Sequence, residues 1–135
     1  MGSGYTYLLE DRLAQGSAPP PDVAAPFDVV VLAAREYQPD LPGYIMMHVP
    51  LDDGPPPSKA ERMLIRHHAR AIADRVRVGE RVLVTCWQGR NRSGVLAGLA
   101  LVDLGLPRAE AVRRIEERRS GLSNPYFRAM VAGVR

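Results

Sequence analysis

Residues 81–104, RVLVTCWQGRNRSGVLAGLALVDL, carry the strongest local pattern in the chain. The apolar run at their start is rich in β-branched residues and predicts a buried strand. Residues 93–104 are almost wholly apolar or small, and they predict a buried helix that Gly105 stops. A tight loop joins the two; it begins with Cys86, the only cysteine in the chain, and turns at Gly89. The stretch therefore predicts a strand–loop–helix unit of an α/β fold.

Strand patterns precede this unit along the chain. Short strands are predicted at residues 5–8 and 13–15, and longer buried strands at residues 27–34 and 44–50, the last one ended by Pro50. Because strands alternate with helices, we expect an α/β fold with a central mixed, mostly parallel sheet of four to five strands flanked by helices.

Helix signals lie on both sides of the loop. Ser58 and Glu61 have the spacing of a capping box and begin a helix that we expect to run to about residue 76. Its inward stripe is predicted to be Leu64, His68, Ile72 and Val76. A second helix is predicted at 107–119, with its arginines and glutamates as a solvated face. Asn124 caps a last helix, and it either serves only as this cap or also braces the loop.

The composition bounds the class of protein. A chain of 135 residues is long enough for one core, and we expect a single domain over residues 1–135. No apolar stretch approaches the roughly 20 residues that a membrane-spanning helix needs. The net charge of +3 is too small to favour nucleic acid as a partner. One cysteine allows no internal disulfide, which favours a cytoplasmic location.

The loop before the buried helix has the residue types of an anion-binding site. Backbone N–H groups of residues 87–92 can converge on one oxyanion, with the N-terminus of the helix behind it. Gly89 lets the backbone approach the ligand, and Arg92 can hold two phosphate oxygens bidentately. The same positive field favours the thiolate form of Cys86, which makes it a nucleophile. Ser93 can donate a hydrogen bond to this thiolate and ease its departure.

The remaining loop residues are expected to contact the substrate. We assign this role to Trp87, Gln88, Gly89, Arg90 and Asn91. Arg90 either binds a second anionic group of the substrate or is a solvated loop charge.

The segment CWQGRNRS, residues 86–93, resembles the signature of the cysteine-dependent phosphatases. This signature has a Cys, five residues, an Arg and then Ser or Thr, with Gly in third place after the Cys. Most of the remaining chain resembles the small, atypical dual-specificity phosphatases. Four further segments carry the likeness: LAQGSAPPP (13–21) as an early Gly-Ser-x-Pro turn, FDVVVLA (27–33) as a central strand, HVPLDDGPPP (48–57) as a general-acid loop and SNPYFRAM (123–130) as a closing helix.

The resemblance implies a metal-free, cofactor-free phosphoryl transfer in two steps. Cys86 would attack phosphorus to form a phosphocysteine, while Arg92 and the loop stabilise the charge on the phosphoryl oxygens. An aspartic acid would protonate the leaving oxygen and later act as a base toward water. In the family this acid lies three residues after a proline; counting from Pro50 indicates Asp53, with Asp52 as the alternative.

The implied substrates are phosphotyrosine or phosphoserine and phosphothreonine in proteins, or a smaller phosphate ester. The loop GRNRSG is also similar to that of RNA 5′-triphosphatases, and Arg90 suggests a phosphoinositide as another alternative. RNA is therefore expected only as a 5′-phosphate substrate. A phosphate-binding pseudophosphatase is the alternative outside enzymes, since Thr85 stands where the family generally has His.

Overall fold

The structure is a computed structural model that describes residues 4–17, 26–119 and 121–133. Its strands are β1 (Tyr5–Leu9), β2 (Leu13–Gly16), β3 (Val29–Ala34), β4 (Ile45–Leu51) and β5 (Val82–Thr85). Its helices are α1 (Lys59–Arg77), α2 (Arg92–Asp103), α3 (Arg108–Arg119) and α4 (Pro125–Ala132). The proline-rich end of the predicted early turn, residues 18–21, lies outside the described residues. None of the described helices is both long and apolar enough to cross a membrane.

The strands form one sheet in the order β1-β2-β5-β3-β4. Strand β1 is antiparallel to β2, and the other neighbours are parallel, so the predicted mixed, mostly parallel sheet is confirmed. The central strand β5 has Gly16 of β2 and Leu32 of β3 in register with its last residue, Thr85. The carboxyl ends of these three parallel strands therefore lie at one edge of the sheet, with β3 running two residues further to Ala34, and α/β proteins bind ligands at such an edge.

Strand β4 runs one residue further than predicted. It continues through Pro50 to Leu51, where the sequence pattern ended it at Pro50. An edge strand tolerates proline because one of its sides needs no hydrogen bonds, and β4 is the edge of the sheet beside β3. This extension brings the carbonyl of Leu51 alongside the site described below.

Helix α1 begins at the predicted capping box. Ser58 Oγ accepts a hydrogen bond from the backbone N–H of Glu61 at 3.1 Å, and Glu61 Oε1 accepts one from the backbone N–H of Ser58 at 3.3 Å. The predicted inward stripe was wrong at its first two members. Leu64 is 48% exposed and His68 is only half-buried. The residues of α1 that are buried are Ile65, Ala69, Ile72, Ala73 and Val76.

The error in the stripe follows from helix geometry. Residues four apart advance 400° along a helix of 3.6 residues per turn, so each such step drifts about 40° around the axis. A stripe drawn only at this spacing back from Val76 leaves the core after two steps. The mixed spacing of three and four residues that α1 uses keeps the buried face toward the sheet and α2.

Helix α2 is the buried helix that the sequence predicts. Its residues from Arg92 to Leu101 are all buried, and it packs against the other helices and against β2, β3 and β5. Gly105 follows its end with φ +109°, which explains why the helix stops there. Because α2 starts directly after the loop, its first turn faces the edge where β2, β3 and β5 end.

The expectation of a solvated face on α3 was wrong for Arg114 and Arg119, which are half-buried, whereas Arg118 is exposed as expected and is also hydrogen-bonded. Arg114 Nη1 donates to the carbonyl of Leu8 at 3.0 Å, and Arg118 Nη1 donates to that of Tyr7 at 3.1 Å. Arg119 donates to carbonyls of the loop and of the segment before β1. Strand β1 is an edge of the sheet, so its outward carbonyls are available to the helix that covers it.

Candidate active site

The site lies where β5 ends and α2 begins. Cys86 follows Thr85, is buried, and donates its backbone N–H to the carbonyl of Gly16 at 3.3 Å. Its thiol donates to Ser93 Oγ at 3.2 Å, and Ser93 lies fully buried in the first turn of α2. The loop therefore brings together Cys86, Ser93 and the N-terminus of a helix, as the sequence predicts for residues in this register.

The loop turns at Gly89, where any other residue would be strained. Its φ is +68°, a conformation that side chains with a Cβ rarely adopt. A Cβ at this position would lie 2.5 Å from the carbonyl carbon of Gly16 and 2.6 Å from its oxygen. The loop backbone at Gly89 thus packs directly against the end of β2, and a side chain at this position would force the two backbones apart.

A buried glutamine supports the loop from below. Gln15 of β2 is fully buried, and its Nε2 donates to the carbonyls of Gly89 and Arg90 at 3.0 Å each and to Ser93 Oγ at 3.1 Å. Arg119 Nε adds a hydrogen bond of 3.0 Å to the same Gly89 carbonyl. Burial lowers the pKa of Arg119 from its ordinary value.

Arg92 is the first residue of α2 and is held in a fork by Glu36. Nη1 and Nη2 of Arg92 donate to Oε2 and Oε1 of Glu36 at 2.6 Å each, and Nη1 also donates to the Leu51 carbonyl at 3.1 Å. The hydrogen bonds from Arg92 lower the pKa of Glu36 to about 2. The buried Arg92 Nε has no hydrogen-bond partner within the described part of the chain. Nη1 and Nη2 of Arg92 are thus held by Glu36, and Nε remains as a hydrogen-bond donor without a partner among the described residues.

The two aspartates of the acidic loop have different surroundings. Asp53 accepts hydrogen bonds from Asn91 Nδ2 at 3.0 Å and from Asn124 Nδ2 at 2.8 Å, so it touches the loop. Asp52 accepts one from Arg35 Nε at 2.9 Å, and both of these side chains are more than half exposed. The structure therefore places Asp53 beside the loop and Asp52 beside Arg35, and both aspartates are exposed.

Asn124 combines the two roles that the sequence left open. Its Oδ1 caps α4 by accepting from the backbone N–H groups of Tyr126 and Phe127 at 3.0 and 3.2 Å. Its backbone N–H donates to Asn91 Oδ1 at 3.0 Å, and its Nδ2 reaches Asp53. The cap of α4 therefore ties the acidic loop to the loop that holds Cys86.

Three loop side chains face outward. Trp87 is 55% exposed, and its ring meets that of Tyr37 edge to face, with 5.9 Å between centroids. Gln88 and Arg90 are exposed as well. Thr85, in contrast, is buried, and its hydroxyl donates to the Val31 carbonyl of β3 at 2.8 Å. Thr85 thus anchors the end of β5 to the sheet.

Sequence reasoning missed Glu36, Gln15 and Arg119 as parts of this site. Each is far along the chain from its partner; Gln15 and Ser93 are 78 residues apart. A polar residue inside an otherwise apolar strand was the available signal for Gln15, and an acid two residues after the end of a buried strand was the signal for Glu36.

Neither a protein-family model nor a curated protein matches the sequence. Solved structures do match. Tk-PTP in its active form superposes with a TM-score of 0.80 at 24% identity, over 99% of this chain and 97% of that one. Human DUSP28 gives 0.80 at 24% identity, over 98% of this chain and 93% of its own. OH1 from the Orf virus, described as a tyrosine phosphatase with triple substrate specificity, gives 0.71 at 21% identity, over 96% and 84%.

Proposed function

We propose that this chain, which has the fold of the small dual-specificity and tyrosine phosphatases, is a cysteine-dependent phosphatase of phosphate monoesters. The observation that carries the proposal is the 3.2 Å contact between Cys86 Sγ and Ser93 Oγ at the N-terminus of α2. This contact lies in a loop that also leads into Arg92 and touches Asp53. Nucleophile, cation and acid are thus contributed by one edge of the sheet.

In the first step, the Cys86 thiolate attacks phosphorus, a P–S bond forms and the ester P–O bond breaks. Asp53 gives its proton to the leaving oxygen. The charge on the three remaining phosphoryl oxygens is stabilised by the loop N–H groups, the N-terminus of α2 and Arg92. These groups are held in place before the substrate arrives, so little reorganisation is needed.

Arg92 is suited to this charge because Glu36 has already oriented it. Two hydrogen bonds of 2.6 Å to Glu36 fix the guanidinium plane, and its buried Nε remains a donor. A guanidinium that is already fixed in its plane binds phosphoryl oxygens with less loss of entropy than a mobile ammonium group would. We assign Arg92 to binding of the phosphoryl group and Glu36 to positioning of Arg92.

In the second step, a water molecule attacks phosphorus and the P–S bond of the phosphocysteine breaks. Asp53, now a carboxylate, accepts a proton from this water, and inorganic phosphate forms. The departing Cys86 thiolate accepts a hydrogen bond from the Ser93 hydroxyl, which stabilises it as a leaving group. Protein groups supply the nucleophile, the charge and the proton, so the proposed reaction needs no metal ion or cofactor.

Proteins that carry phosphotyrosine are the substrate class that the loop surface favours. Trp87, an exposed residue of the loop, forms an aromatic pair with the half-buried Tyr37. An aromatic wall of this kind contacts a phenyl ring through its face or edge and adds binding energy that an alkyl phosphate does not receive. Phosphoserine and phosphothreonine peptides fit the same reaction with a weaker contact.

A turnover panel tests the function. It compares an aryl phosphate with phosphotyrosine and phosphoserine peptides, with EDTA present throughout and Cys86→Ser as the control variant. We expect phosphate release from the wild-type protein only, with the phosphotyrosine peptide turned over faster than the phosphoserine peptide. Wild-type activity that is lost on adding EDTA, or retained in Cys86→Ser, would contradict the mechanism.

A phosphoinositide or RNA 5′-triphosphate phosphatase is the second candidate, and the exposed Arg90 on the loop favours it. A second anionic group of such a substrate would lie within reach of this guanidinium. The same panel, extended with a phosphoinositide and a triphosphate-ended RNA, separates this candidate from the first. Tungstate binding without any turnover would instead indicate a phosphate-binding pseudophosphatase.

A further inference from the structure

We propose that Gln15 is a positioning residue for the nucleophile, acting on Cys86 through the Ser93 hydroxyl and through the peptide groups of the loop. Its buried Nε2 lies 3.0 Å from the carbonyls of Gly89 and Arg90 and 3.1 Å from Ser93 Oγ. The proposal rests on the proposed function, because it concerns the nucleophile of that reaction.

The orientation of the Gln15 amide is determined by its neighbours. The carbonyl oxygens of Gly89 and Arg90 can only accept hydrogen bonds, so the amide group that faces them must be the donor. Turning the amide over would set its own oxygen against two other oxygens. Gln15 therefore presents N–H groups, and no acceptor, to everything it touches in the loop.

This orientation restricts the Ser93 hydroxyl. Nε2 has two hydrogens and three acceptors within 3.1 Å, so one hydrogen is shared between two of them. Because Nε2 is only a donor, Ser93 Oγ can accept from Gln15 but cannot donate to it. The hydroxyl proton of Ser93 is then left for Cys86 Sγ, 3.2 Å away. When Cys86 is a thiolate, it receives this proton as a hydrogen bond, which stabilises the charged form. Gln15 thus favours the orientation in which the Ser93 hydroxyl donates its hydrogen bond to the Cys86 thiolate.

The same amide also orients two loop peptides. In a trans peptide the N–H points opposite to the C=O of the same unit. Because Gln15 holds the carbonyls of Gly89 and Arg90 toward β2, the N–H groups of Arg90 and Asn91 point away from β2, to the side on which a phosphoryl group would lie. These N–H groups stabilise anionic charge in the loop.

Stability alone does not account for Gln15. Its Oε1 is buried and has no hydrogen-bond partner in the described part of the chain, which costs free energy. A leucine or methionine would fill the same volume in β2 without that cost. The advantage of the amide lies in its two N–H donors, and all three acceptors that Nε2 contacts belong to the loop or to Ser93.

The test measures the reactivity of Cys86 without needing turnover. Iodoacetamide alkylation rates are followed against pH in the wild-type protein and in Gln15→Met, which keeps the volume and removes the donors. Gln38→Met is the matched control, because Gln38 Nε2 also donates to two backbone carbonyls, those of Leu32 and Ala34, but does not touch the loop. Thermal unfolding of each variant checks that it is folded.

We expect the pH midpoint of alkylation to rise in Gln15→Met by up to roughly one unit, the shift reached if the hydrogen bond from Ser93 to the charged thiolate is lost completely. Gln38→Met should leave the midpoint unchanged. In a Ser93→Ala background, Gln15→Met should shift the midpoint by less than half as much, because the hydroxyl is gone. An unchanged midpoint in Gln15→Met, or an equal shift in both backgrounds, would overturn the proposal.

A measurement on the wild-type protein covers the case in which Gln15→Met does not fold. The side-chain amide signal of Gln15, assigned by NMR, should shift with pH at the same midpoint as Cys86 alkylation. A Gln15 signal that does not respond at that midpoint would overturn the proposal. Alkylation and NMR both report on the Cys86 thiol and do not require phosphatase turnover. The positioning role of Gln15 and the proposed phosphatase function can therefore be contradicted independently.

Discussion

The carboxylate of Glu36 and the guanidinium of Arg92 face each other through two hydrogen bonds of 2.6 Å. Arg92 is buried at the start of α2, whereas half of the Glu36 side chain is exposed after the end of β3. We assign the buried Arg92 to binding of the phosphoryl group, and the half-exposed Glu36 holds Arg92 in position. This asymmetry makes Glu36 a support that can be removed while the fold is kept.

Replacing Glu36 with Gln should impair the site more than the fold. The neutral amide has one acceptor oxygen, and its NH2 group cannot accept from Arg92, so the contact with two oxygens is lost and the guanidinium plane loosens. We expect kcat/KM for an aryl phosphate to fall between about 10-fold and 10²-fold, as misplacement of a binding group does. Glu80→Gln is the matched control, because it removes the Arg75–Glu80 pair at the end of α1. Equal activity in both variants would contradict the positioning role.

The Glu36–Arg92 pair should also make stability depend on pH. The pKa of Glu36 is lowered from 4.5 to about 2, chiefly by the hydrogen bonds from Arg92. The stabilisation is therefore fully present above pH 4.5 and is lost as the pH falls toward 2. Urea unfolding of wild-type protein and Glu36→Gln should differ most at neutral pH, and the difference should shrink between these two values. A difference that grows on acidification would contradict this assignment.

Arg92→Lys should lose most activity although the charge is kept. A lysine ammonium is a point charge and cannot bind two phosphoryl oxygens in a plane or keep the forked contact with Glu36. We expect kcat/KM to fall by at least about 10². Tungstate affinity should weaken in parallel, and thermal unfolding shows whether the buried position tolerates the change. Near-normal rates in a folded Arg92→Lys protein would argue against the proposed binding of phosphate.

The fold and the loop were predictable because their signals are local. The strand before Cys86, the turn at Gly89 and the helix after it are contiguous, and their register alone places Ser93 beside the thiol. Glu36 lies 56 residues before Arg92, and Gln15 lies 74 residues before Gly89. Such contacts depend on how strands are ordered in the sheet, which hydrophobic periodicity does not determine.

Arg90→Ala should separate the two candidate functions. If the exposed Arg90 binds a second anionic group, this variant should lose far more activity on a phosphoinositide or a triphosphate-ended RNA than on a simple aryl phosphate. Arg70→Ala, which removes an exposed arginine from α1, controls for the change in net charge. Equal losses on all substrates would reduce Arg90 to a general electrostatic contribution.

The general acid is tested by comparing Asp53→Asn with Asp52→Asn. Asp53 is in contact with Asn91 and Asn124, whereas Asp52 pairs with Arg35 at the surface. An exposed pair of that kind contributes at most about 1 kcal/mol to stability. Asp52→Asn should therefore leave the folded site intact and change activity little. Asp53→Asn should slow the reaction by about 10²–10⁴-fold for a poor leaving group such as an alkoxide.

The dependence on the leaving group distinguishes loss of an acid from loss of structure. Nitrophenolate departs without a proton, so Asp53→Asn should slow nitrophenyl phosphate much less than an alkyl phosphate, and the basic limb of its pH–rate profile should flatten. Damage to the loop through the lost contacts with Asn91 and Asn124 would slow both substrates alike. Asn124→Ala, which removes one of those contacts and leaves the carboxyl group, provides that comparison. If Asp52→Asn gives the leaving-group-dependent loss and Asp53→Asn does not, the acid has been assigned one residue too late.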